Sequence, residues 1–181
     1  MKKQILLLLV FVVGSLANTF AQGSTSTTEI VVEANVPSAV VTSYKAKYAT
    51  GKIVKWEKRT YTGAAGNTYV KYVAVFDQDG IRNRARYKED GTGLSTTTYY
   101  WFKNVTKLPQ AIQDYAKTKY PDYKLTSGEK ELSLKSGKYV YRIRVKKGPT
   151  QVVVYLNEKG EEVSKDNVDI EILENESETP N

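Results

Sequence analysis

One pattern occurs twice in this chain and limits its fold more than any other feature. Val36-Pro37-Ser38-Ala39-Val40 runs on to Lys45-Ala46-Lys47-Tyr48, and much later Leu108-Pro109-Gln110-Ala111-Ile112 runs on to Lys117-Thr118-Lys119-Tyr120. The proline, the alanine, both lysines and the closing tyrosine recur in step. A repeat this widely spaced marks a duplicated supersecondary unit. Within the first copy Val36, Ala39, Val40, Tyr44 and Tyr48 form one apolar stripe at helical spacing, and Pro37 suits the first helical turn. In the second copy Leu108, Ala111, Ile112, Tyr115, Ala116 and Tyr120 do the same. Thr50-Gly51 and Pro121-Asp122 end the two helices. Helices of about three turns are marginal alone and need a sheet to lie against.

Each helix is followed by short runs rich in Tyr, Val and Thr, separated by Asp/Gly turns, which is the pattern of an antiparallel meander. Strands are expected at residues 53–62, 68–76, 81–88 and 94–103, then at 124–134, 138–146, 150–156 and 168–173. The unit is a helix plus four strands, in repeat one (36–103) and repeat two (108–173). The fold class is α+β: one antiparallel sheet of about eight strands, two helices on one face, and an open face opposite.

The N-terminal residues read as an export signal. Lys2 and Lys3 precede an apolar stretch from Ile5 to Ala17, and Thr19-Phe20-Ala21 is a small-x-small cleavage pattern, so residues 1–21 are expected to be removed after Ala21. The apolar stretch is short of the ~20 residues of a membrane span. These features place the chain in the periplasm or outside the cell. No cysteine stands at the cleavage point, so it is not expected to be a lipoprotein. Residues 22–35 are expected to be a flexible lead-in, in which Ile30-Val31-Val32 could pair as an edge strand or stay loose. Residues 174–181 are expected to be an acidic disordered tail.

The chain contains neither histidine nor cysteine. Ser-His and Cys-His catalysis and typical zinc or haem sites are therefore excluded, and no motif marks a pair of catalytic carboxylates. The reading is a non-enzymatic protein with no catalytic residue, cofactor or metal. Asp77-Gln78-Asp79-Gly80 lacks the ligand series of a calcium loop, since Val75 and Arg86 occupy ligand positions, and reads as a tight turn. Charge is uneven. Residues 22–160 hold 24 basic and 12 acidic side chains, whereas from Glu161 onward there are eight carboxylates and one lysine. A basic body suggests an anionic partner, and export argues against nucleic acid.

Strand alternation concentrates the positive charge. Arg82, Arg84, Arg86 and Lys88 fall on one face of their strand, with Ile81, Ala85 and Tyr87 on the other. Arg142, Arg144 and Lys146 repeat this against Tyr141, Ile143 and Val145. If both apolar sets meet the helices, both basic rows lie on the open face and form a candidate partner-binding surface. The plainer alternative is a solvated face neutralised by carboxylates such as Glu57, Glu131, Asp169 or Glu171. The run Tyr99-Tyr100-Trp101-Phe102 is expected to send two aromatics inward and two outward. Most of the 14 tyrosines are expected to fill the core.

The aliphatic-Pro-x-Ala-aliphatic start, the Lys-x-Lys-Tyr close, Lys55-Trp56-Glu57 and the Asp-Gly turns together resemble the PepSY-like family of exported bacterial proteins. That family is similar in fold to the β-lactamase inhibitor protein, with its two tandem helix-plus-four-strand repeats. The resemblance spans about residues 36–173. It implies an eight-stranded sheet with a protein-binding concave face, and a binding module that engages or inhibits an envelope protein, a peptidase among the candidates. The inhibitor's disulfides are missing here, so β-lactamase inhibition is not carried over. Three partner classes follow: an envelope or extracellular protein with an acidic patch, an anionic glycan, or the chain's own acidic C-terminal strand and tail in a structural or adaptor protein. No stable membrane insertion is expected once the signal is cleaved.

Overall fold

A computed structural model describes residues 25–62 and 66–173. The expected export segment and the acidic tail lie outside them. The described residues form one antiparallel sheet of eight strands whose spatial order is their order in the chain. The strands are β1 (Thr25–Val31), β2 (Lys52–Thr62), β3 (Thr68–Gln78), β4 (Ile81–Tyr87), β5 (Gly93–Trp101), β6 (Lys124–Ser133), β7 (Tyr139–Lys147) and β8 (Thr150–Leu156). Helix α1 (Ser38–Lys47) joins β1 to β2, and α2 (Gln110–Lys119) joins β5 to β6. A single-turn helix, α3 (Ile170–Leu173), follows β8.

The two copies of the repeat fold alike down to their dihedral angles. Pro37 and Pro109 both sit at the N-cap with φ −52°, and Tyr48 and Tyr120 close the helices at φ −126° and −128°. The prolines therefore lie just ahead of the first turn expected to hold them, where their carbonyls accept the first helical N–H bonds. Lys45 and Lys47, like Lys117 and Lys119, fall in the last turn, where cations complement the helix dipole. Each helix buries most of its stripe on its own half-sheet, although Ala39 stays exposed. Val40 and Tyr44 pack with Trp56, Tyr72 and Phe76, while Ile112 and Ala116 pack with Tyr141, Ile143 and Leu156. Aromatic residues fill the first core: the Tyr44 ring meets Trp56 at 5.4 Å and Phe76 at 5.2 Å, both edge to face. Burying each such side chain contributes roughly 1.5–3 kcal/mol.

The position of the repeated alanine is where a turn glycine meets each helix backbone. The turn glycines Gly91 (φ +83°) and Gly160 (φ +79°) each lie against a helix backbone, so that an added Cβ would stand 2.6 Å from the carbonyl oxygen of Ala39 or Ala111. The motif marks where a turn locks each helix onto its half of the sheet.

The strand count agrees with expectation, but the membership does not. The first strand comes from the lead-in, where an edge strand at Ile30-Val31-Val32 is one of two alternatives: Thr25–Val31 forms that edge and pairs along its whole length with β2. Conversely, the strand expected at 168–173 does not form. Val168 follows a 3₁₀ turn (Lys165–Asn167), and the Asp169 carboxylate accepts the Glu171 N–H at 3.0 Å. That side-chain cap starts α3 in place of an extended ladder. Asp79 (φ +55°) and Gly80 (φ +71°) form the tight turn expected between β3 and β4.

Gly91→Ala and Gly160→Ala are each expected to lose more stability than Gly137→Ala. All three carry left-handed strain, which costs about 1–2 kcal/mol, but only the first two add a collision with helix backbone, because the space at Gly137 is open. Urea denaturation of the three variants checks the order.

Candidate functional site

Strand alternation leaves one face of the sheet away from α1 and α2. Ala85 and Tyr87 join the helix-covered core, which directs Arg82, Arg84 and Arg86 to the opposite face. Tyr141, Ile143 and Val145 do the same for Arg142, Arg144 and Lys146. Both basic rows thus share the open face, as the alternation implies. They do not occupy matching strands, however. β4 is the third strand of its repeat and β7 the second of its own, so the rows sit at different distances from the centre of the sheet.

Most of this charge is not in water. Arg84, Arg86 and Arg142 are 7%, 1% and 5% exposed. Arg82 and Arg144 are partly buried, while Lys146, and Lys88 just past the end of β4, are exposed. The buried guanidiniums meet oxygens on neighbouring strands. Glu57 on β2 accepts from Lys55 at 2.8 Å and Arg59 Nε at 3.0 Å, with Arg84 4.0 Å away. Glu129 on β6 binds Arg142 and Arg144, the latter at 2.7 Å. Glu131 lies 3.2 Å from Arg142, and Arg86 donates to the Thr97 hydroxyl at 2.9 Å. At the rim Arg82 pairs with Asp77 at 2.6 Å. The neutralising carboxylates expected at Glu57 and Glu131 are in place. Glu129, which sequence reading missed, binds the second row most directly. It holds in the second repeat the place that Glu57 holds in the first, so the duplication itself carried the signal.

Burial alone would raise the Glu57 pKa. The bonds from Lys55 and Arg59 and the field of Arg59 and Arg84 outweigh it and hold the carboxyl below its usual 4.5.

The aromatic run divides unevenly. Tyr99 and Trp101 share the open face with centroids 4.5 Å apart, and the Arg84 guanidinium lies 5.6 Å from the Tyr99 centroid. Tyr100 packs with the second helix core. Phe102, expected inside the fourth strand, leaves β5 at φ +50° and is 90% exposed. A bulky aromatic held in left-handed backbone and in water is unusual on both counts. Val153 on β8, 44% exposed, adds an apolar surface on the same face.

The other end of the face is covered by the chain itself. Val168 and Ile172 bury against Val140 of β7, with Tyr155 and Val163 beside them. Asp169 bonds with Ser136 and Ser133 near Lys135, and these contacts lower its pKa against the opposing effect of burial. Asp169 and Glu171, expected as cross-strand carboxylates opposite the basic rows, lie instead on this crossing segment, Asp169 bonded to Ser136 and Ser133 and Glu171 lining a groove with Lys71 and Lys88. Among the described residues no cluster of acidic side chains could hold a metal ion, and no helix is long and apolar enough to cross a membrane.

Replacing Glu129 by Gln is expected to cost about 3 kcal/mol, because Arg142 and Arg144 would lose a buried counter-charge. Lys146→Glu, at an exposed position, should change stability by less than about 0.5 kcal/mol. Denaturant melts of both variants test this contrast. The lowered Glu57 pKa stabilises the fold fully above its unfolded value near 4.5, and that contribution fades as pH falls through the folded value. The stability gap between wild type and Glu57→Gln should accordingly close on acidification below pH 4.5.

No family model matches the chain, and no curated protein matches it. Solved structures do. A BLIP-like protein from Bacteroides fragilis superposes with TM-score 0.55 at 20% identity, covering 73% of this chain and 88% of that one. A DUF2874 family protein from Bacteroides ovatus gives TM-score 0.57 at 14% identity, covering 71% and 84%. A protein assigned to the periplasm of Bacteroides eggerthii gives 0.53 at 18%, covering 71% and 86%. At these identities the likeness is one of architecture, and it agrees with the observed sheet and helices: the chain has a BLIP-like fold.

Proposed function

We propose that this chain is an exported, non-enzymatic binding module of the PepSY-like kind, which engages an envelope protein through the open face of its sheet. The contact lies at the aromatic end of that face, around Tyr99, Trp101, Phe102 and Val153, with Arg82 and Arg144 at its edges. Phe102 is the observation that carries this reading. It is 90% exposed in a strained backbone conformation next to Trp101, an arrangement that folding does not require and a partner's pocket would reward. The charged N-terminus, short apolar stretch and cleavage pattern support export, and the periplasmic assignment of the Bacteroides eggerthii neighbour is in keeping with it. The absence of histidine and cysteine supports a binding role over a catalytic one.

The basic rows contribute less than their number suggests. Arg84, Arg86, Arg142 and Arg144 already face carboxylates or hydroxyls on adjacent strands. A glycan or other polyanion would find chiefly the exposed rim cations Lys88 and Lys146, since Arg82 is already paired with Asp77, and that weakens the support for a polyanion ligand.

Immobilised full chain, exposed to solubilised envelope proteins of the native host, provides the test. Phe102→Ser should reduce retention of the bound protein at least tenfold while leaving the Tm unchanged or slightly higher. Retention equal to wild type, with the fold intact, would contradict the proposal.

A further inference from the structure

The strap formed by residues 164–173 crosses the open face without joining the sheet. Its last backbone link to the strands is the Val163 N–H, which donates to the Tyr155 carbonyl. Beyond that point the backbone bonds turn inward, from Asn167 to Ser164, Val168 to Lys165 and Ile172 to Asp169. Side chains hold it down. Ile172 is 1% exposed and Val168 7% exposed, in a small cluster on Val140 that is separate from both helix cores. The sequence Val168-Asp169-Ile170-Glu171-Ile172 alternates aliphatic and acidic residues.

The strap does not fill its surroundings. A cavity of about 370 Å³ lies along one side, lined by Tyr139, Asn157, Val168 and Ile172 among others. A groove of about 600 Å³ opens elsewhere along the strap, where Glu171 shares the lining with Tyr69, Lys71 and Lys88. An aliphatic side chain seated on Val140, one carboxylate near Ser133, Ser136 and Lys135, and another lining the same groove as Lys71 and Lys88 define what this surface accepts.

Resting on the reading of the open face as a protein-binding face, we propose that the strap seat is a second docking site, and that its ligand is an acidic–aliphatic segment of the partner protein. The strap is the resident stand-in for that segment. It occupies the seat in the free protein and leaves when the partner's segment, reaching into the adjoining groove, takes its place. Apolar anchoring at the Ile172 position separates this ligand from a simple polyanion, which has nothing to place on Val140.

A labelled synthetic peptide of residues 165–176 tests the seat, by fluorescence anisotropy against two full-length proteins. The variant Ile172→Asp, whose strap is unseated by a buried charge, should bind the peptide at least tenfold more tightly than wild type. A peptide carrying the same substitution should not bind it. Equal affinity for both proteins, or no binding to a variant whose circular dichroism is native, overturns the proposal. Should Ile172→Asp fail to fold, hydrogen exchange on the unaltered chain decides. Strap amides exchanging at least tenfold faster than those of β5 and β6 support a displaceable strap, and equal protection overturns it. A strap-exchanged dimer on size-exclusion chromatography also overturns it, since the occupant would then be a second copy. Loss of retention by Phe102→Ser together with failure of the peptide would leave the aromatic contact standing and remove only this inference.

Discussion

A guanidinium removed from water must meet an oxygen, and this sheet is arranged around that requirement. Arg86 sits deep in the open face at 1% exposure, with Arg84 and Arg142 little more accessible. Uncompensated, any of them would cost several kcal/mol. Antiparallel register supplies the compensation. It sets Glu129 opposite Arg142, brings Thr97 within reach of Arg86, and aligns Glu57 with the edge of the first row. A slip of one residue on any strand would turn these groups into the apolar helix side, so the charge network and the two cores specify the same register.

That arrangement redistributes function over the molecule. A face that is basic by count has most of its buried cations engaged within the sheet, and its solvent-exposed charge resides mainly at the rim. What remains for recognition is shape and apolar surface: Tyr99, Trp101, Phe102 and Val153 at one end, and the seat beneath the strap at the other. The duplicated helices, conspicuous as they are in the sequence, work on the far side. They bury the back of each half-sheet and are locked there by Gly91 and Gly160.

How much of this the sequence disclosed depended on the range of the interaction involved. The helices, the hairpin turns and the shared face of the basic rows follow from helical spacing, strand alternation and the duplication, all of which are local or repeated. β1 was obscured because Thr25-Ser26-Thr27-Thr28 carries no apolar alternation; it pairs by backbone at an exposed edge. The strap was misread for the opposite reason. Val168-Asp169-Ile170-Glu171-Ile172 has strand periodicity, yet the Asp169 carboxylate caps a helical turn. The burial of Arg84 and Arg86 was invisible because it depends on side chains of neighbouring strands, which no spacing within β4 encodes. The exposure of Phe102 was hidden likewise, since only the backbone shows β5 ending at Trp101.

Whether the open-face cations are satisfied within the molecule decides what this surface can bind. A double-mutant cycle on Glu129 and Arg142, using Glu129→Gln and Arg142→Met with stability read by denaturant titration, measures this directly. Internal pairing predicts a coupling of about 2 kcal/mol or more between the two positions. A coupling near zero would mean that Arg142 is effectively solvated, and that the basic rows remain available to an external anion after all.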